Sequence, residues 1–254
     1  MTRMTFRRAV RVTAGRVAGG LGAVAAGLAV VALAEVQMAR SGYRLPAGPL
    51  ALDRPGNGPR IVWLGDSTAA GEGAATAAGA VPSQVQAGLG IPDAALSVLA
   101  VSGARAADVL VHQLPLVAAR RPDLVLISVG ANDAIHLTGA GGFRRTYMEL
   151  VRALPRGVPV VLLGIPDMGA IARFAQPLRA IAGARGRHLD AEVRGVAAGT
   201  GAIYVPIAGP TGPAFRRDPH RYLAADDFHP SSEGYGLWAD AVLGVLRREG
   251  LLRR

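Results

Sequence analysis

One serine, one histidine and one aspartate occupy positions from which they could form a nucleophilic triad. Ser67 follows the apolar run 61–64, and Asp226 and His229 stand three residues apart near the C-terminal end. A serine hydroxyl is a weak nucleophile, because it needs a base such as histidine to take its proton and a third group to orient the imidazole. The spacing of Asp226 and His229 can bring the carboxylate to Nδ1 and leave Nε2 free for Ser67. Asp227 is the alternative partner of the imidazole, but the three-residue spacing favours Asp226.

The tetrahedral intermediate of acyl transfer also needs hydrogen-bond donors for its oxyanion. The backbone N–H groups of Ser67 and Gly103 and the side-chain amide of Asn132 are candidates, since Gly103 and Asn132 each follow another apolar run. Each signal alone has a plainer alternative. Gly-Asp-Ser is a common turn sequence, and asparagine is a good helix cap. The order of the motifs and their placement after separate strands favour chemistry.

The elements that must position these residues alternate between short apolar runs and longer amphipathic segments. The apolar runs are 61–64, 96–101, 124–129, 158–163 and 202–205, and the predicted helices include 105–120, 143–154, 173–198 and 231–248. Strands that are apolar on both faces and separated by helices indicate a parallel sheet covered on both sides. Ligands of such sheets bind outside the carboxyl ends of the strands, where the candidate residues stand.

Composition limits the classes of function that remain. The chain of 254 residues is 50% hydrophobic and lacks cysteine, which fits one globular domain and excludes disulfides and thiolate chemistry. The net charge is +10, every cationic side chain is arginine, and many arginines stand at the two ends, so the basic stripe typical of nucleic-acid binding is missing. The remaining histidines lack the spacing of metal ligands; they are His112, His136, His188 and His220. We therefore expect no metal, no cofactor and no nucleic-acid partner.

The N-terminal segment predicts a signal for membrane insertion or export. Residues 17–34 carry no charge and follow five arginines, and about 18 apolar residues is near the minimum that crosses a bilayer core as a helix. Two alternatives fit: an uncleaved signal-anchor transmembrane helix, slightly favoured by the length, and a signal peptide cleaved after the small-residue site at 32–34. Both place the following domain outside the cytoplasm, anchored to the cell membrane or secreted.

Residues 40–59 are rich in proline and glycine, and their apolar side chains show no periodicity. Both features are typical of a linker. The predicted organisation is therefore a signal peptide or anchor at 1–39, a linker at 40–59 and a single folded domain at 60–254. Within that domain, the small side chains of the loop 69–80 are expected to leave room for an acyl group.

Four blocks of this sequence resemble the SGNH (GDSL) hydrolase family. The Gly-Asp-Ser at 65–67 resembles the first block, Gly103 the second, and Asn132 within Gly-Ala-Asn-Asp the third. Asp226 and His229, followed by proline, resemble the last block. The resemblance covers about residues 60 to 248.

Two details refine the resemblance. Thr68 stands where the name-giving motif has leucine, at a position that varies. The G-x-S-x-G elbow of the α/β-hydrolases is missing, because Ala69 stands where its second glycine would be. Both details leave the four-block pattern intact.

The resemblance implies a flavodoxin-like three-layer α/β/α fold with a five-stranded parallel sheet. It also implies an esterase or lipase that cleaves small-molecule, glycan or lipid esters without a metal or cofactor. Ser67 is then the nucleophile, His229 the base and Asp226 its orienting carboxylate, with Ser67, Gly103 and Asn132 around the oxyanion. Acyl transfer to, or deacetylation of, envelope glycans is the first alternative function. A non-catalytic binding module on the same fold is the second.

Overall fold

A computed structural model describes residues 50–251, and five parallel strands form a single sheet at its centre. The strands are β1 (Arg60–Gly65), β2 (Ala95–Val98), β3 (Leu124–Ser128), β4 (Val160–Leu163) and β5 (Ile203–Val205), in the spatial order β2-β1-β3-β4-β5. In register, Ile61 of β1 pairs with Leu96 on one side and Leu124 on the other. The central strand β3 is buried along its whole length, as expected of a parallel sheet covered on both faces.

Within residues 50–251, eight helices surround the sheet. The first is α1 (Val81–Gly88), and α2 consists of three contiguous segments, Ala106–Asp108, the π-helical Val109–Gln113 and Leu114–Arg120. The others are α3 (Ala131–Ile135), α4 (Ala140–Arg152), α5 (Leu178–Thr200), α6 (Ala208–Arg217), α7 (Pro219–Tyr222) and α8 (Ser232–Arg248). Short 3₁₀ turns lie at Ala77–Gly79 and Met168–Ala170.

The alternation of side chains along β1 divides the core into two layers. Ile61 and Trp63 belong to one apolar cluster, with residues of α1 and α8. Val62 and Leu64 belong to the other, with residues of α2, α4 and α5. Successive strand side chains point to opposite faces, so a run that is apolar throughout needs helices on both sides. The predicted three-layer α/β fold with a five-stranded parallel sheet is confirmed.

The helix boundaries differ from the sequence pattern in specific places. Helix α8 begins as expected, because the Ser231 hydroxyl accepts a hydrogen bond from the N–H of Gly234 at 3.1 Å. Helix α5 starts at Leu178 and not near residue 173, since Pro177 interrupts the chain just before it. Helix α6 was not predicted, and the interior Pro213 explains why the pattern gave no signal.

The packed chain begins before the predicted start of the domain at residue 60. Leu52 is buried in the core, and Arg54 exchanges two backbone hydrogen bonds of 2.9 Å with Leu96 at the edge of β2. An apolar side chain and edge pairing therefore tie the last part of the predicted linker to the sheet. The predicted apolar helix at 17–34 lies outside the described residues. Within residues 50–251, no helix has the length and apolar character needed to cross a bilayer.

Candidate active site

The loop that follows β1 presents Ser67 at the carboxyl edge of the sheet. The turn begins at Gly65, whose φ of 153° and close approach to the Ser128 carbonyl and to Ala69 leave no space for a Cβ. Asp66 accepts hydrogen bonds from the backbone N–H and the hydroxyl of Thr68 at 3.0 and 2.7 Å. Burial raises the pKa of Asp66 to about 6, although the bonds from Thr68 act in the opposite direction. Asp66 thus stabilises the turn on which Ser67 stands.

A buried glutamine side chain is hydrogen-bonded to the first residue of this loop, Gly65. Gln113 accepts a hydrogen bond from the N–H of Gly65 at 2.9 Å and donates one to the Gly65 carbonyl at 2.8 Å. It is the last residue of the π-helical segment of α2, and π-helical turns are frequent at functional sites. The sequence does not predict this role of Gln113, because nothing in an amphipathic pattern distinguishes it from a solvated polar residue.

The structure joins three of the predicted residues in one hydrogen-bonded chain. The Ser67 Oγ lies 2.9 Å from Nε2 of His229. Nδ1 of His229 lies 2.6 Å from Oδ2 of Asp226. The other oxygen of Asp226 accepts the backbone N–H groups of Phe228 and His229 at 3.1 and 3.0 Å. Both oxygens are therefore occupied, and the carboxylate is held in one orientation.

The charge of Asp226 is stabilised by these contacts. Burial favours the neutral acid, but the hydrogen bonds and charge of His229 outweigh it and hold the pKa of Asp226 below its usual value. Asp227, the alternative partner, is exposed, with a φ of 55° that turns the chain. The imidazole is therefore contacted by Asp226.

Gly103 and Asn132 lie on the loops that flank Ser67. Strand β1 stands between β2 and β3, so the loops after these two strands border the serine loop on either side. Gly103 is exposed, with a φ of 78° and open space where a Cβ would be. Asn132 donates a hydrogen bond to the Ala104 carbonyl at 3.1 Å, which ties its loop to that of Gly103. The second N–H of its amide remains available to a ligand.

Asp133 anchors the start of α2. Its Oδ2 accepts the N–H of Ala106 at 2.9 Å, and burial raises its pKa in spite of that bond. Aspartate is a good helix cap, and the carboxylate of Asp133 caps the neighbouring α2 and not α3, the helix in which it lies. The residue type indicated capping, but only the packing shows which helix is capped.

Glu72 is a second residue at the site that the sequence pattern does not predict. Its Oε2 lies 3.3 Å from Nε2 of His229, on the nitrogen that faces Ser67. The available signal was a single charged residue between two glycines in a loop of small side chains.

A pocket adjoins His229 on the side of the loops that follow β1 and β4. Its lining is mainly apolar and includes Ile171, Phe215, Leu223, Phe228 and Trp238. The loop 69–80 contributes no residue to this pocket. Ala69 and Ala80 in that loop are fully buried, so these two side chains serve close packing. Among residues 50–251, no cluster of three or more His, Asp and Glu side chains is arranged to hold a metal ion.

Comparison with known proteins identifies the family. Residues 63–237 match the model of the GDSL-like lipase/acylhydrolase family. The chain belongs to this family. At that level, the predicted resemblance is confirmed.

A curated relative agrees with this assignment. The GDSL-like esterase Rv1075c of Mycobacterium tuberculosis (strain ATCC 25618 / H37Rv) is 34% identical over 192 residues, which are 74% of this chain. The matched region spans 61% of that relative's length.

Solved structures share the fold. A lipase/acylhydrolase from Enterococcus faecalis superposes with a TM-score of 0.61 at 22% identity, covering 76% of this chain and 97% of that one. An acetylxylan esterase from Geobacillus stearothermophilus superposes with a TM-score of 0.55 at 21% identity, covering 77% and 96%. At these identities the similarity concerns the three-layer architecture.

Proposed function

We propose that this chain hydrolyses carboxylic esters through an acyl-Ser67 intermediate. The observation that carries the proposal is the hydrogen-bonded chain from Ser67 through His229 to Asp226, with distances of 2.9 and 2.6 Å. Donor–acceptor distances in this range are those expected between a nucleophile, its base and the group that orients the base.

Each residue then has a defined role in acylation. The Ser67 Oγ attacks the ester carbonyl while Nε2 of His229 takes its proton. Asp226 holds the Nδ1–H tautomer and stabilises the imidazolium that forms. The imidazolium returns the proton to the leaving alcohol, and water later releases the acyl group by the same steps in reverse order.

The N–H groups of Ser67 and Gly103 and the free N–H of Asn132 are proposed to bind the oxyanion. A positive φ at Gly103 and the absence of a side chain there allow a substrate to approach the backbone closely. Preorganised donors of this kind are worth about 3–4 kcal/mol each in transition-state stabilisation.

A fluorophosphonate probe tests the proposal directly, because it reacts with an activated serine whatever the natural ester is. The wild-type chain is expected to be labelled with a stoichiometry near one, and Ser67→Ala is expected to remain unlabelled. Ser83 provides a matched control, since it is buried without a hydrogen-bond partner and Ser83→Ala leaves the nucleophile in place. A folded wild-type chain that stays unlabelled would refute the proposal.

The class of ester follows from a chain-length series. The apolar pocket beside His229 favours the binding of a neutral acyl group over that of a charged acyl group. We therefore propose neutral acyl esters of small molecules, glycans or lipids as substrates. Hydrolysis rates across p-nitrophenyl esters from acetate to palmitate, compared with release of acetate from acetylated xylan, rank these classes. A preference for succinyl or other anionic acyl esters would contradict the assignment.

We also propose that the domain acts outside the cytoplasm, anchored or secreted. The uncharged segment 17–34 behind an arginine-rich flank supports this location. Intact mass of the protein recovered from membrane and culture medium distinguishes an anchor from a cleaved signal peptide. Recovery of the full-length chain from the cytoplasmic fraction alone would contradict both.

A further inference from the structure

Glu72 brings a second carboxylate to His229. Its Oε2 lies 3.3 Å from Nε2, the nitrogen that also faces the Ser67 Oγ at 2.9 Å. Asp226 occupies the opposite nitrogen. The side chain of Glu72 is 36% exposed, so it borders both the reacting atoms and the solvent.

The backbone holds Glu72 in this position. Its N–H donates to the Ser67 carbonyl at 2.9 Å, and its own carbonyl accepts the hydroxyl of the buried Tyr235 at 2.5 Å. The flanking residues Gly71 and Gly73 have φ values of 79° and 91°, which only glycine adopts without strain. The loop is therefore fixed on both sides of Glu72, with its side chain directed to the imidazole.

This contact does little for the resting site. When Nδ1–H donates to Asp226, Nε2 carries a lone pair that accepts the proton of Ser67. A carboxylate can only accept hydrogen bonds, so Glu72 and a neutral Nε2 have no proton to share. Its natural partner is a proton donor that lies within hydrogen-bond distance of both Nε2 and the carboxylate, and the water of deacylation is such a donor.

We propose that Glu72 accepts a hydrogen bond from the water that hydrolyses acyl-Ser67; this inference rests on the proposed ester hydrolysis. The water oxygen forms the new bond to the acyl carbon while one of its protons passes to Nε2 of His229. Its other O–H stays bonded to Glu72 and becomes the hydroxyl of the acid product. The bond from the acyl carbon to the Ser67 Oγ then breaks, and this oxygen takes the proton back from Nε2.

Glu72 thereby distinguishes water from an alcohol as the acyl acceptor. Water has two O–H groups, one for His229 and one for Glu72. An alcohol has a single O–H, which the base requires, and its alkyl group would face the carboxylate. The geometry therefore favours hydrolysis over acyl transfer at this site.

The partition of the acyl-enzyme measures this preference. Wild-type protein turns over p-nitrophenyl acetate in the presence of 1-propanol, and the ratio of propyl acetate to acetate is determined by gas chromatography. Both products arise from the same intermediate, so their ratio is independent of the folded fraction and of the acylation rate. Glu72→Ala is expected to raise the ratio about ten-fold, the scale of one lost hydrogen bond to a charged group, and Glu72→Gln by a smaller factor. Glu149→Gln, on the exposed face of α4, is the matched control and should leave the ratio unchanged.

The outcomes separate the two proposals. A product ratio that Glu72→Ala leaves unchanged overturns the inference and leaves ester hydrolysis standing, even if total turnover falls. An equal rise in Glu149→Gln also overturns it, because the effect would then follow net charge. A wild-type chain that forms neither product refutes the proposed function, and the inference with it.

Discussion

Replacing Asp226 by asparagine tests whether the carboxylate sets the tautomer of His229. Two backbone N–H groups, from Phe228 and His229, donate to Oδ1 of Asp226 at 3.1 and 3.0 Å. In Asp226→Asn these donors hold the amide oxygen in place, since turning the amide over would lose both bonds, at about 1 kcal/mol each. The amide N–H₂ must then face Nδ1, where Oδ2 now lies 2.6 Å away.

An amide donor at Nδ1 forces the proton of the neutral imidazole onto Nε2. His229 can then no longer accept the proton of Ser67, although every heavy atom keeps its place. We expect kcat/KM for p-nitrophenyl acetate to fall by about 10³–10⁴-fold, which corresponds to a loss of about 4–5.5 kcal/mol of transition-state stabilisation. The melting temperature should change little, and ¹⁵N NMR of labelled histidine should report the other tautomer.

The neighbouring aspartate provides the matched control. Asp227 is exposed and has a φ of 55°, a conformation that asparagine tolerates well. Asp227→Asn should therefore retain nearly full activity. If Asp226→Asn kept more than a tenth of the wild-type kcat/KM, the assignment of the tautomer to this carboxylate would be refuted.

Two further substitutions test the loop around Ser67. Gly73→Ala should destabilise the chain by about 3 kcal/mol and reduce esterase activity. The reason is that the new Cβ, at a φ of 91°, would clash with the Pro230 carbonyl and lie 2.8 Å from the Cβ of His229. Thermal unfolding measures the loss of stability, and ester turnover measures the loss of activity. Burial raises the pKa of Asp66 from 3.8 to about 6, so the folded chain binds the carboxyl proton of Asp66 more tightly than the unfolded chain does. Ionisation of Asp66 therefore lowers the free energy of unfolding by about 3 kcal/mol as the pH rises from about 4 to above 6. Asp66→Asn should lose this component, which urea unfolding at pH 4 and pH 7 measures.

The chain offers a control for Gly73→Ala, and the pH dependence provides one for Asp66→Asn. Gly157 has a φ of 79° with nothing within 4 Å of a new Cβ, so Gly157→Ala should cost only the conformational strain of about 1–2 kcal/mol and leave activity intact. Equal losses in Gly73→Ala and Gly157→Ala would show that packing against the His229 loop is unimportant. For Asp66, a difference in unfolding free energy between variant and wild type that stays constant from pH 4 to pH 7 would contradict a raised pKa.

The layered fold could be predicted from the sequence because its signal is local. Runs such as 124–129 are apolar at every position, and a strand needs that composition only when both faces of its sheet are covered. The helices without such a signal were missed. In α6, glycine and proline obscure the pattern, and the helix persists because Thr211 and Phe215 are buried against the rest of the domain.

By itself, the sequence determined which residue types follow which strands, and therefore that Ser67, Gly103 and Asn132 would gather at one edge of a parallel sheet. It favoured Asp226 over Asp227 as the partner of His229 only through the three-residue spacing. The tertiary structure decided that choice, and it also brought Glu72 to the imidazole. The contacts of His229 with Ser67 and Glu72 join segments about 160 residues apart. Their geometry therefore depends on how helices and loops pack around the sheet, which no local pattern encodes.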